Sequence, residues 1–168
     1  MDTPFMKIKK LKEEAIIPSK REEDAGYDFY SIFEEDFKLF MPGEIFLAPT
    51  GLAFEIPKDW VLYVAERGST GSKGISRRCG IVDSGYRGEL FVALNNTSKK
   101  PVLFYKDEWG IDAFLQSQDL DREKVTLYPQ KKAIAQGLLL YCPHVEIEVV
   151  EELSDSQRGE GALGSSKK

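Results

Sequence analysis

Short stretches of β-branched, aliphatic and aromatic residues recur along this chain, separated by turn sequences such as Met41-Pro42-Gly43-Glu44 and Pro49-Thr50-Gly51. Strands spaced about 8–12 residues apart are typical of an all-β sandwich or barrel. Helical periodicity is nearly absent, which excludes a doubly wound α/β fold. The pattern therefore predicts an all-β domain with strands over Met6–Leu11, Phe37–Phe40, Ile45–Pro49, Leu52–Ile56, Val61–Ala65, Leu90–Leu94, Val102–Tyr105, Val125–Leu127, Ala133–Tyr141 and Val145–Val150.

One segment departs from the β pattern. Asp107–Gln118 is predicted to form a short helix with Asp107 as its N-cap, because three apolar residues fall on one helical face: Ile111, Phe114 and Leu115. The polar stretch Asp119–Lys124 follows. We interpret residues 106–124 as a surface excursion from the β-domain. A lid or a partner-docking arm is the alternative.

Composition and charge limit the classes of function. At 168 residues and 19.0 kDa the chain suits a single domain. A formal charge of −5 argues against broad nucleic-acid binding, which needs a basic face, but local Arg and Lys residues can still bind a small phosphate ligand. No apolar run approaches the roughly 20 residues that span a bilayer, and the N-terminus lacks a secretion signal. We expect a cytoplasmic protein with neither membrane nor nucleic acid as a partner.

The cysteine and histidine content favours no metal or triad chemistry. Cys79 and Cys142 belong to no metal-like spacing, so we expect two reduced thiols. His144 is the only histidine and stands at the start of a predicted strand, so a structural role is favoured over catalysis.

Glycines are concentrated in one part of the chain, where six of the 14 lie between Gly68 and Gly88. In the stretch Glu66–Gly74, Arg67, Gly68 and Ser69 offer a guanidinium, a closely approaching backbone and a hydroxyl to an anion. The stretch is not a P-loop, since Lys73 does not follow a glycine. A flexible turn explains it equally well.

A second glycine-rich stretch, Gly80–Glu89, contains Asp83 between two aliphatic residues and Ser84-Gly85. This position predicts a carboxylate where a strand bends into a hairpin, able to orient and deprotonate a water molecule. Tyr86 could offer its ring face to a sugar. The alternative for Asp83 is an ordinary turn residue.

Two further polar residues stand out. Asp28, in Asp24–Tyr30, could hold a hard cation such as Mg²⁺ through water, although a turn is equally plausible. Gln136 is the only polar side chain of the apolar run Ala133–Leu138, so it needs a partner if it is buried.

The tail, residues 154–168, is rich in Gly, Ser and charge, which predicts a flexible arm beyond a domain of residues 1–153. Within it, Arg158–Ser166 combines an arginine, three glycines and terminal hydroxyls. That composition suits a backbone that wraps around phosphates.

Taken in order, these segments resemble the five motifs of the trimeric dUTP pyrophosphatase (dUTPase) family. The resemblance covers nearly the whole chain, and the third motif is a close match. The five segments in order are Ala25-Gly26-Tyr27-Asp28, Arg67-Gly68-Ser69, Gly80-Ile81-Val82-Asp83-Ser84-Gly85-Tyr86-Arg87-Gly88-Glu89, Ile134-Ala135-Gln136 and Arg158-Gly159-Glu160-Gly161-Ala162-Leu163-Gly164-Ser165-Ser166.

The resemblance implies a β-jelly-roll subunit in a homotrimer with three shared active sites. Each site would take motifs one, two and four from one subunit, motif three from a neighbour and motif five from the remaining subunit. The implied reaction is hydrolysis of dUTP to dUMP and pyrophosphate, which protects DNA from uracil and supplies dUMP for thymidylate synthesis.

The resemblance also implies roles for individual residues. Asp28 would bind the hydration shell of Mg²⁺, and Asp83 would activate water for in-line attack at the α-phosphorus. Tyr86 would pack on the deoxyribose, while the backbone of the predicted hairpin would read uracil through Gly80, Ile81 and Val82. The implied phosphate ligands are Arg67, Gly68, Ser69, Gln136, Arg158, Ser165 and Ser166.

The chain departs from the family pattern at several positions. Arg67 is followed by Gly68 and then Ser69, whereas the family usually has Arg-Ser-Gly, so the hydroxyl is displaced by one residue. Arg77 replaces a usual Asn, and Leu163 replaces a usual Phe that stacks over uracil. The excursion of residues 106–124 is also longer than usual.

Three alternatives compete with this interpretation. The related dCTP deaminases share the fold, but their deaminating Glu would fall at Ala93, which cannot transfer protons. A nucleotide-sensing protein without turnover is disfavoured because Asp83, Arg67 and the tail are all present. A β-domain with an unstructured end would have to contain five ordered motifs by accident.

Overall fold

Strands form most of the secondary structure in the computed structural model, which describes residues 5–157 and Gly159. The helices are α1 (Gly68–Gly71), α2 (Ile111–Ser117) and a single 3₁₀ turn, Arg122–Lys124. The strands, in chain order, are β1 (Lys7–Lys10), β2 (Tyr27–Phe29), β3 (Phe37–Phe40), β4 (Ile45–Glu55), β5 (Trp60–Ala65), β6 (Ile75–Arg78), β7 (Ile81–Val82), β8 (Glu89–Asn96), β9 (Val102–Tyr105), β10 (Thr126–Pro129) and β11 (Ala135–Tyr141).

The strands form three sheets that surround one principal core. Their orders are β1-β4-β8-β6, β2-β11-β5-β7 and β10-β9-β3, and every pairing is antiparallel except β10 with β9. Side chains from all three sheets meet in the core, including Phe29, Leu62, Leu94 and Phe104, each fully buried. A smaller cluster, built around Ile111 and Leu115 of α2, packs against the third sheet.

The predicted all-β class with one short helical excursion is confirmed. The excursion helix begins after Gly110, so Asp107 as its N-cap was wrong. The Asp107 carboxylate instead accepts a hydrogen bond of 2.7 Å from the backbone N–H of Trp109. None of the helices in the described ranges is long and apolar enough to cross a membrane.

Several strand predictions need correction. The predicted strands 45–49 and 52–56 merge into one strand, β4, which ends at Glu55 and has a register irregularity between Pro49 and Ala53. The short strands β2 and β6 were not predicted, because neither has an alternating apolar pattern long enough to stand out.

The predicted strand Val145–Val150 is wrong for this subunit. Its apolar side chains are exposed, with Ile147 at 90% and Val149 at 95%, and no strand of residues 5–157 pairs with it. His144 therefore does not begin a strand here. The sequence has strand character, but a strand forms only where a partner satisfies its backbone groups.

At Gly137, the backbone of the central strand β11 lies in close contact with side chains of the core. A Cβ at this position would collide with the Phe29 ring and lie 2.9 Å from Leu62 Cδ1. Because both neighbours are fully buried, neither can move without disturbing the core.

We therefore expect Gly137→Ala to lower the free energy of unfolding by about 1–3 kcal/mol, the usual cost of overpacking. Urea unfolding followed by circular dichroism at fixed protein concentration measures this change. Gly71→Ala is the matched control, since its new Cβ would meet only Glu66 Oε2 at 3.7 Å. Equal stability of the two variants would show that the core side chains around Gly137 rearrange to accommodate the added methyl group without cost.

Candidate active site

The register of one sheet brings three distant parts of the sequence together. Gln136 of β11 lies opposite Asp28 of β2 on one side and opposite Ala65 of β5 on the other. Arg67 follows two residues after Ala65, at the end of β5. Antiparallel pairing therefore places the first, second and fourth predicted motifs side by side, although more than 100 residues separate Asp28 from Gln136.

Gln136, the one polar side chain of its apolar run, has a hydrogen-bond partner in the structure. Its Nε2 donates to the backbone carbonyl of Glu66 at 2.8 Å. The side chain also lies against Gly26, where a Cβ would be 2.8 Å from Gln136 Oε1 and 2.9 Å from Gln136 Cβ. The glycine of the first motif thus makes room for the glutamine of the fourth.

Arg67 and Asp28 form a two-pronged ion pair. Arg67 Nε donates to Asp28 Oδ1 at 2.8 Å and Nη2 donates to Oδ2 at 3.1 Å, with about 30% of each side chain exposed. Arg67 Nη1 also donates to Ser69 Oγ at 3.0 Å and to the Ala133 carbonyl at 3.4 Å. Such bidentate geometry fixes the orientation of the guanidinium plane.

Ser69 lies in α1, the single helical turn that begins directly after Arg67. The displaced hydroxyl of the Arg-Gly-Ser sequence is therefore next to the guanidinium, because the turn brings residue 69 back toward residue 67.

A buried tyrosine, Tyr128, supports this cluster from the core side, and no sequence pattern predicted its role. The Tyr128 hydroxyl donates to the Ala133 carbonyl at 2.6 Å, the same oxygen that accepts from Arg67. Burial raises the pKa of Tyr128 above its ordinary value of 10.0, while Ser69 and Arg67 oppose that shift. The phenol therefore stays neutral at physiological pH and remains a donor.

These residues surround an open cavity of about 670 Å³. Its lining includes Asp28, Arg67, Gly68, Ser69 and Gln136, all five of which the sequence predicted as site residues. The other lining residues are Ser19, Lys20, Arg21, Asp24, Ala25 and Gly26.

Residues 19–21, which form part of this wall, belong to none of the predicted motifs. A bridge between Ser19 and Asp28 holds this segment beside β2, with the Asp28 N–H donating to the Ser19 carbonyl at 2.9 Å. The only signal was a basic pair, Lys20-Arg21, before an acidic run, and such pairs are common on protein surfaces.

The Asp83 segment, residues 80–89, has a different geometry from the predicted hairpin. β7 pairs with β5, whereas β8 pairs with β4 and β6, so the segment connects two sheets. Asp83 is exposed in this connection, and its carbonyl accepts from the Tyr86 N–H at 3.0 Å. The carboxylate is therefore accessible to a ligand from outside the subunit.

Neighbouring side chains hold the Asp83 segment in place. The Tyr86 hydroxyl donates to the Glu89 carbonyl at 2.8 Å, and its ring lies against Gly88. At the other end, the Arg77 guanidinium packs 4.8 Å from the centre of the Tyr63 ring and against Gly80. The predicted base-reading residues, Gly80 to Val82, are thus anchored at their first residue by β5 and Arg77.

The subunit does not bring all the predicted residues into one place. Among the described residues, the Asp83 segment contributes nothing to the lining of the 670 Å³ cavity. Arg158, Ser165, Ser166 and the departure at Leu163 lie outside the described residues. A site that combined all five motifs would therefore need more than this part of one chain.

Donors for a metal ion are few. Within residues 5–157, no cluster of three or more His, Cys, Asp or Glu residues could hold a metal ion. The Asp28 carboxylate uses two of its roughly four lone-pair positions on Arg67 and keeps the others. This donor set fits a cation held chiefly by water and ligand phosphates, as Mg²⁺ commonly is.

Sequence comparison decides the family. A sequence model of the dUTPase family matches residues 12–108. A deoxyuridine 5'-triphosphate nucleotidohydrolase of Nautilia profundicola is 37% identical, covering 97% of this chain and 99% of the relative. The chain belongs to the dUTPase family.

Other dUTPases agree in sequence and in structure. The Clostridioides difficile enzyme of the same name is 34% identical, over 95% of this chain and 96% of that protein. The dUTPase of Staphylococcus bacteriophage 80alpha, solved as a G164S mutant with dUpNHpp, superposes with a TM-score of 0.73. That structure is 25% identical and covers 98% of this chain and 99% of its own, which confirms the predicted jelly-roll class.

Proposed function

We propose that this dUTPase-family chain hydrolyses dUTP to dUMP and pyrophosphate, with Asp83 activating the attacking water. The observation that carries the proposal is the register that gathers Asp28, Arg67 and Gln136 around one cavity. These residues come from three of the motifs by which the chain resembles its family. In a cytoplasmic setting the reaction would keep uracil out of DNA and supply dUMP for thymidylate synthesis.

The cavity is the proposed triphosphate site. Arg67 is held rigidly by Asp28, with Ser69 and Gln136 beside it, so the donors are positioned before the ligand arrives. Gly68 lets the backbone approach the phosphates closely. Arg158, Ser165 and Ser166 are proposed to add donors when the arm, residues 154–168, closes over the ligand.

The Asp83 segment is the proposed site for sugar, base and catalysis. The backbone of Gly80, Ile81 and Val82 would pair with uracil, and the Tyr86 ring would cover the deoxyribose and exclude a 2′-hydroxyl. Asp83, exposed at the turn, would accept the proton of the water that attacks the α-phosphorus.

Magnesium is the proposed cofactor. Asp28 would hold its hydration shell through the carboxylate positions that Arg67 leaves open. When bound, the ion would neutralise phosphate charge and align the triphosphate. Arg67 and Gln136 would fix the phosphate oxygens from the protein side.

A homotrimer with shared sites would reunite the separated motifs. Two apolar surfaces of the subunit support an assembly between copies of this chain. One is the strand-like stretch beyond β11, where Ile147 and Val149 are almost fully exposed. The other is the outer face of the β4–β8 sheet, with Ile45, Leu47 and Phe91 each 47% to 60% exposed. Large exposed apolar groups of this kind commonly mark protein interfaces.

The structure offers no support for deamination, the reaction of the related dCTP deaminases. Ala93 lies in the middle of β8, 6% exposed and opposite Leu47. No proton-transferring group occupies the position where a deaminase would need its glutamate.

Substrate selectivity provides the direct test. With Mg²⁺, the purified chain is expected to release pyrophosphate from dUTP with a kcat/KM at least about 100-fold above that for dCTP, dTTP or UTP, since each competitor leaves a polar group unpaired or meets a steric clash. A coupled pyrophosphate assay measures all four. Asp83→Asn protein purified in the same way controls for contaminating phosphatases. Similar rates for the four nucleotides would overturn the substrate assignment.

A further inference from the structure

Segment 19–24 forms one wall of the 670 Å³ cavity and carries charged groups that none of the five motifs includes. The Ser19–Asp28 bridge holds it against β2, and Lys20, Arg21 and Asp24 all line the cavity. The proposed phosphate site therefore has more charged residues than Arg67 and Asp28 alone.

Both guanidinium groups of the cavity are already paired with carboxylates. Arg67 binds Asp28, and Arg21 binds Asp24 through two hydrogen bonds of 2.9 Å. Hydrogen bonding from Arg21 lowers the pKa of Asp24, so this carboxyl stays ionised at neutral pH. Each pair is close to electrically neutral.

Lys20 is the remaining cation of the cavity. Its Nζ donates to the Asp24 carbonyl at 2.6 Å and lies 5.5 Å from the centre of the Tyr27 ring. No carboxylate of the described residues lies within 4 Å of it. Three cations against two carboxylates leave the cavity with a net charge of +1, and Lys20 supplies it.

We propose that Lys20 is a further phosphate-binding residue, which exchanges the Asp24 carbonyl for a phosphate oxygen when the triphosphate enters. The inference rests on the proposed function and extends its phosphate site. An ammonium group on a flexible stem can turn through a short arc. A charge-assisted bond to phosphate is stronger than its present bond to a neutral carbonyl, so the exchange favours the bound state.

This role predicts an effect confined to phosphate binding. Lys20→Gln should weaken inhibition by inorganic pyrophosphate about fivefold to tenfold, as expected for the loss of one partly screened charge contact. The KM for dUTP should rise similarly, with kcat within about twofold of wild type. Inhibition by deoxyuridine, which has no phosphate, should not change. Lys20→Arg should restore most of the pyrophosphate affinity because it restores the charge.

The experiment compares the full-length variants with wild type and with Lys58→Gln, an exposed lysine on a turn outside the cavity. Titration calorimetry with pyrophosphate measures the phosphate contact without turnover, so it separates this inference from the proposed reaction. Unchanged pyrophosphate affinity in Lys20→Gln would overturn the proposal, as would an equal loss of deoxyuridine affinity. If the wild type bound pyrophosphate through Lys20 but did not hydrolyse dUTP, only the proposed reaction would fail.

Discussion

Asp83→Asn is expected to lower kcat for dUTP by about 10²–10⁴-fold, the usual contribution of a positioned general base. The amide keeps the shape of the carboxylate but cannot accept the proton of the attacking water. Because Asp83 is exposed in the connection between two sheets, the substitution removes no buried contact. Affinity for a non-hydrolysable dUTP analogue should therefore stay within about threefold of wild type.

Single-turnover kinetics would measure the chemical step, and titration with the analogue would measure binding. Asp59→Asn is the matched control, since Asp59 lies on the turn before β5 at φ 64°, a conformation that asparagine tolerates. Near-normal kcat in Asp83→Asn would remove Asp83 as the base. A parallel loss of analogue binding would instead assign it to ligand binding.

Mixing two inactive variants should restore about one quarter of the wild-type activity if Asp83 and Arg67 serve each site from different subunits of a symmetric trimer. In a random equal mixture of Asp83→Asn and Arg67→Met chains, half of the Asp83 contributions and half of the Arg67 contributions are intact. A site is active only when both are intact. The physical basis is that the Asp83 segment does not line the cavity that contains Arg67.

The two variants would be refolded together from denaturant and assayed for pyrophosphate release, with size-exclusion chromatography to verify assembly. Mixing without refolding controls for subunit exchange. A second mixture pairs wild type with the doubly substituted chain, which should give about one quarter of the activity for shared sites and about one half for sites within one subunit. No restored activity in verified mixed assemblies would exclude the shared site.

Short apolar runs bounded by turn sequences could be predicted as strands, and β3 and β9 agree to the residue. Tyr27–Phe29 could not be found in this way, because three residues contain too little pattern and the strand depends on its pairing with β11.

Local sequence predicted the motif residues of the site one by one, but only the family resemblance implied that motifs one, two and four meet in one subunit. Proximity of Asp28, Arg67 and Gln136 depends on strand order, which local sequence does not specify. Lys20 and Tyr128 were missed for the same reason. Lys20 gains its place through the Ser19–Asp28 bridge and Tyr128 through its burial in the core, and no spacing between neighbouring residues signals either.

The prediction for Val145–Val150 failed in an informative way. Its alternation of apolar and acidic residues is genuine, but the subunit offers it no partner strand within the described residues. An alternating pattern indicates the intrinsic strand preference of a segment. It does not identify which chain satisfies that preference.

The pairing of Gln136, with Asp28 on one side and Ala65 on the other, makes the 670 Å³ cavity a consequence of strand alignment. If β11 slipped by one residue, Gln136 would turn to the opposite face of the sheet, and Gly137 would no longer lie against Phe29. A misaligned molecule could keep its strand content and still be inactive. Enzymatic activity during refolding would then report when the sheet acquires its correct register. Spectroscopic signals of β-structure cannot distinguish the correct register from a misaligned one.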